Sequence, residues 1–275
     1  MSLAVVARKD LADARRSKAL VALAGLFVLV GLGGTYLYTL LPTMDPSIGP
    51  ANASGLFDFL AQITALFVAI SALVLSYKAI AGETESGSGK LLLGLPHSRR
   101  DVFLGKVLGR SSVLFGALLA GLLSTLALAQ VLFEDLSLAM FGAFLVVTLV
   151  FGLVYVTLMV SLSASTGSTG RAATLAIGTF VVLELLWDGL VFAVAFVGNG
   201  FAAPAGGMPT WVMAVNAFSP TIAYQTAVGW TTAWFSGTSI SVPFHQHLWF
   251  ALVVLAVWAV VPALLGYRRY SRADL

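Results

Sequence analysis

The chain has 275 residues, 59% of them hydrophobic and only 10% charged, with a formal charge of +3. A soluble domain carries about 25% charged residues to hydrate its surface, so this composition excludes a water-exposed globular fold and leaves lipid as the solvent. The chain has no cysteine, which excludes disulfides, zinc knuckles and thiol catalysis.

Residues 3–18 alternate Leu, Val and Ala with Arg, Lys and Asp at helical spacing. That pattern predicts an amphipathic helix lying at the inner membrane interface. The apolar run that follows, 19–41, is too long for a signal-peptide core, and no small-residue cleavage site follows it. It reads as a retained first span. A span needs about 20 mostly apolar residues, and six windows qualify: 19–41, 56–79, 111–133, 138–163, 172–197 and 248–266. The expected fold is an all-α membrane protein, a single six-helix bundle over 1–275, because backbone groups at membrane depth must be satisfied within the helix.

Charge tests this count. All 15 Lys and Arg residues fall before the first span, between spans two and three, between four and five, or after six. The other three connections have none. The positive-inside rule then places both termini in the cytoplasm. Basic residues at helix ends rather than on one face argue against a nucleic-acid partner. The long outer connection, 198–247, carries Trp211, Trp230, Trp234 and Tyr224 among four prolines. Aromatics favour the headgroup zone, so this segment is expected to dip into the outer interface as short broken helices.

The inner connection, 80–110, is the most patterned stretch. Glu83 and Glu85 precede a Gly/Ser turn at 86–89, then an apolar run closed by Pro96. Ser98 suits a helix N-cap, with Asp101 three residues on as a short-armed capping box. The loop reads as a short surface helix followed by a new helix start, a shape suited to receiving force from a soluble partner. Gly87–Lys90 reads GSGK, but a P-loop needs G-x-x-x-x-G-K-[ST] after a strand. Here Thr84 and Leu91 stand where Gly and the hydroxyl residue belong. A plain turn is the better reading, and the chain is expected to be no enzyme.

This loop resembles that of the type-2 ABC transporter permease family. Glu83, Glu85, Gly87, Ser88, Leu92, Leu93, Leu95, Pro96, Ser98, Arg99, Asp101, Gly105 and Lys106 match the family's segment after its second helix. The six helices, the interfacial start and NAFSPTIAYQTA at 216–227 extend the likeness over most of the chain. It is similar to the smaller permeases paired with a separate ATPase, including those near nitrous-oxide-reductase maturation. The resemblance implies a homodimer or permease pair in the bilayer, with ATP-binding cassette subunits docked beneath and the segment around 83–95 coupling them. It also implies export, and no cofactor.

Glu184 and Asp188 lie four apart in the fifth window, near mid-membrane. A carboxylate there costs roughly 2.5–3.5 kcal/mol on insertion scales. Such groups either line a translocation path or fix helix packing, and the residues leave both open. An ion- or proton-coupled secondary transporter using this pair is the alternative function. His245 and His247 form an H-x-H outside the sixth span, too few ligands for a metal site, and read as a polar loop end. Asp45, Asp58, Glu134 and Asp135 read as solvated charges at outer helix ends. Gly31, Gly33, Gly34, Gly116 and Gly121 could each permit close helix contact.

Overall fold

The computed structural model describes residues 18–87, 98–202, 207–238 and 242–272. The predicted interfacial helix, apart from Lys18, lies outside the described residues, as do Leu92, Leu93, Leu95 and Pro96. The described helices are α1 (Lys18–Met44), α2 (Ala53–Ser76), α3 (Ala81–Glu85), α4 (Arg99–Leu132), α5 (Leu138–Ala164), α6 (Thr169–Phe180), α7 (Trp187–Gly198), α8 (Thr210–Asn216), α9 (Pro220–Phe235) and α10 (Leu248–Arg272). A π-helical stretch, Val181–Leu186, joins α6 to α7. Six segments are long and apolar enough to cross a membrane: Leu20–Met44, Ala53–Glu85, Arg99–Leu132, Leu138–Ala164, Thr169–Gly198 and Leu248–Arg272.

Helix starts leave N–H groups without intrahelical acceptors, and polar side chains supply them. Asn52 Oδ1 accepts from Gly55 N at 2.8 Å, and Asp135 accepts from Ala53 N at 3.1 Å. Asp135 is therefore a cap for α2 rather than a merely solvated charge. Asp58 likewise has a partner, accepting from Thr232 Oγ1 at 3.0 Å. At Ser98 the predicted capping box is present: the Ser98 side chain accepts from Asp101 N, and the Asp101 carboxylate accepts from Ser98 N. That box starts α4 at Arg99, twelve residues before the apolar window at 111. The early start carries the helix through Arg99–Arg110, whose polar residues composition alone had left in the loop.

The centre of the bundle is α5, two-thirds buried, against 17% for the fifth and sixth spans. Phe144, Phe151, Tyr155 and Met159 are wholly buried along it. The long connection after α7 forms the expected short helices, α8 and α9, but packs more closely into the protein than a surface loop. Of the two, α9 packs among α2, α5 and α10. Its Tyr224 is fully buried, stacks on Phe151 with centroids 4.4 Å apart, and shares a 2.9 Å hydrogen bond with Thr148. A 16-residue helix is about 24 Å long, too short to cross alone. His245 also departs from the polar-loop reading. It sits in a short 3-10 turn, Phe244–Gln246, and is 2% exposed.

The most extensive helix pair is α1 with α4. Two of the candidate glycines make it possible. A Cβ on Gly121 would lie 2.6 Å from both Cβ and the carbonyl oxygen of Phe27, and one on Gly31 would lie 2.8 Å from the Gly121 carbonyl oxygen. Gly34 faces Leu60 of α2, whereas Gly33 and Gly116 face open space.

Candidate coupling site and intramembrane polar cluster

At the basic end of the bundle, α2 stops at Ser76 and the chain turns through Tyr77–Ile80 into α3. The N–H groups exposed by this break are held from a distance: Ser163 Oγ, buried near the end of α5, accepts from Ile80 N and Ala81 N, each at 3.1 Å. Gly87 closes the element with a positive φ of 73°, and its N–H reaches Thr84 O at 3.2 Å. This is the left-handed residue with which helices commonly end.

Three side chains of the patterned loop then reach three other elements. Glu83 Oε1 pairs with Lys106 Nζ of α4 at 2.6 Å, where the side chains are 24% and 8% exposed. Glu85 Oε2 accepts from Thr169 N at 2.9 Å and so caps the start of α6. Arg99 Nη1 donates to the carbonyls of Tyr270 at 2.7 Å and Ser271 at 3.0 Å, and its guanidinium lies 5.9 Å from the Tyr270 ring centre. A cation on the last carbonyls of a helix suits the negative end of its dipole. With Ser163, these bonds join α3 to α4, α5 and α6, and α4 to α10. Lys106 matched the motif without an assigned role; Ser163 and Thr169 carried no signal in the sequence, because their partners lie more than 80 residues away.

Glu184 sits in the π-helical stretch. Its Oε1 accepts from Tyr155 Oη of α5 and, at 2.6 Å, from Thr221 Oγ1 of α9; Tyr155 Oη and Thr221 Oγ1 are themselves 3.2 Å apart. Asp188 is exposed, yet both carboxylates line one cavity of about 360 Å³, together with Gln62, Ser219, Thr221 and Gln225. The wider π turn accommodates an extra residue, which lets Glu184 turn inward while Asp188 remains outside. Tyr155 and Thr221 escaped the sequence reading because each looks like an ordinary residue of an apolar or polar helix. The cluster is a chain of hydrogen bonds joining three elements at membrane depth. It can hold them together or offer polar partners to a passing solute.

A family model described as ABC-2 family transporter protein matches residues 4–275. The chain is also similar to a "Probable ABC transporter permease protein NosY" of Pseudomonas aeruginosa, 29% identical over 283 residues and covering 98% of each chain. A protein of the same description from Stutzerimonas stutzeri is 29% identical over 282 residues and covers 97% of each chain. With six spans in the structure and the family match over nearly its full length, the chain belongs to the ABC-2 family of transporter proteins, as a multi-pass membrane permease subunit.

Proposed function

We propose that the chain is the membrane half of an exporter driven by ATP hydrolysis in a separate ATP-binding cassette subunit. The basic end faces the cytoplasm and receives that subunit. Two permeases, as a homodimer or a pair, enclose the route through the membrane. The observation that carries this reading is the set of bonds at the basic end. Glu83, Glu85 and Arg99 reach α4, α6 and α10, so a displacement of the loop is felt by spans three, five and six together. With Gly87, the residues Leu92, Leu93, Leu95, Pro96 and Ser98 complete the coupling element.

The test is to purify the tagged full chain from its native membranes in mild detergent and identify what accompanies it by mass spectrometry. A stoichiometric ATPase subunit is expected, with less retained when Glu83 and Glu85 are both replaced by Ala. A homo-oligomer without any ATPase would overturn the proposal and favour an ion-coupled carrier built on Glu184 and Asp188.

A further inference from the structure

Between α5, α6 and α10 lies a cavity of about 1190 Å³. This exceeds the roughly 300–1,000 Å³ of a pocket for a drug-sized ligand. Its walls are apolar, with Leu158, Leu162, Val182, Val261 and Leu265, and its basic end carries Arg268, Arg269 and Arg272. A second cavity of about 500 Å³ adjoins it, sharing Ser165, Thr174, Leu175 and Arg269, and adds Arg171 and Thr166. Four arginines of α6 and α10 thus line these two adjoining cavities. Among the described residues no carboxylate lines either cavity, and none of the four arginines forms an ion pair.

We propose that this groove binds one anionic phospholipid. The phosphate sits among Arg171, Arg268, Arg269 and Arg272, with the hydroxyl of Thr166 as a further donor, and an acyl chain lies along the apolar wall. The dimensions agree: from Trp258 to Arg272 the groove follows α10 for about 21 Å at 1.5 Å per residue. That is somewhat more than half of the approximately 30 Å hydrocarbon core, the depth reached by one leaflet's lipid. Basic pockets between membrane helices are a recurring way to hold anionic headgroups. A zwitterionic lipid is a poorer fit, because its own cation would join four others.

A second copy of the chain is also a poorer occupant. A two-fold contact sets the same surface against itself, so these arginines would meet their like. The described carboxylates at this end are engaged elsewhere: Glu83 with Lys106, Glu85 with Thr169 N, and Asp101 with Ser98. The floor of the groove is tight, since a Cβ on Gly266 would lie 2.7 Å from Ser161 Cα.

The test is native mass spectrometry of the delipidated full chain titrated with phosphatidylglycerol and, separately, phosphatidylcholine. One phosphatidylglycerol per chain is expected at concentrations where phosphatidylcholine is not retained. Replacing Arg268, Arg269 and Arg272 together by Gln is expected to weaken that binding on the order of a hundredfold, at about fivefold per charge near an anionic surface. Gly178→Trp fills the groove with the arginines intact, at a position where a Cβ meets nothing within 4 Å, and is expected to displace the lipid as well. Equal retention of the two lipids, equal binding by the triple variant, or full competition by soluble glycerol phosphate would overturn the proposal. So would disulfide cross-linking between copies through Val261→Cys, the only thiol in that variant.

Discussion

Replacing Gly121 by Ala adds one methyl group at the α1–α4 crossing, where it meets the carbonyl oxygen and carbon of Phe27 at 2.6 and 2.7 Å. These are backbone atoms, so no rotamer change can relieve the contact. Ordinary carbon contacts lie near 3.5–4.0 Å, and the helices must therefore separate locally by about 1 Å. Overpacking of this kind costs typically 1–3 kcal/mol. The gain from Ala over Gly in a helix offsets at most about 1 kcal/mol. The expected net loss is about 1–2 kcal/mol. Gly116→Ala, in the same helix but facing open space, receives the gain without the clash and should be neutral or slightly stabilising. The measurement is reversible unfolding of the full chain in mixed micelles by SDS titration, followed by far-UV circular dichroism. Gly31→Ala combined with Gly121→Ala should be non-additive, because the two sites share one contact. Equal stability of Gly121→Ala and Gly116→Ala would refute the account of this crossing.

Other outcomes follow from the polar contacts. Glu83→Gln, Lys106→Met and the double variant should give a coupling of about 1–3 kcal/mol in a thermodynamic cycle, and a value near zero would mean that the pair is incidental. Tyr155→Phe removes a donor to Glu184 and should cost about 1–2 kcal/mol, whereas Glu184→Gln keeps an acceptor oxygen and should cost less. If Glu184→Gln assembles normally yet abolishes transport, the carboxylate belongs to the route rather than to packing. Arg99→Ala should raise hydrogen exchange at 267–272 about tenfold, the loss of roughly 1.5 kcal/mol of charge-assisted bonding; unchanged exchange would show that α10 ends without its help.

Local signals carried much of the architecture. The strict alternation of basic connections with connections that lack Lys and Arg located six spans, since burying any of those cations in lipid is costly. Ser98 and Asp101 could be read as a helix start because both partners lie within one turn. The contacts that define the candidate site are of another kind. Ser163 with Ile80, Glu85 with Thr169, and Arg99 with Tyr270 join residues far apart in the chain, so no periodicity encodes them. The burial of α9 was hidden for a physical reason: its four threonines and Gln225 lower its hydropathy, while Tyr224 and Thr148 satisfy each other only after the helix is in place. His245 was misread similarly, as a polar type whose surroundings exist only in the folded chain.

The π-helical stretch between α6 and α7 sets the phase of everything beyond it. One residue fewer between Val181 and Leu186 would let the fifth span close as a continuous α-helix, turning its outer half by about 100°. Val191 and Ala195 would then swing away from Val212, with which they form a small satellite core, and Asp188 would leave the cavity it shares with Glu184. Single-residue insertions and deletions are ordinarily absorbed in surface loops. Here one surplus residue inside a membrane helix acts as a dial, fixing which side of the outer half meets lipid and which meets the rest of the protein.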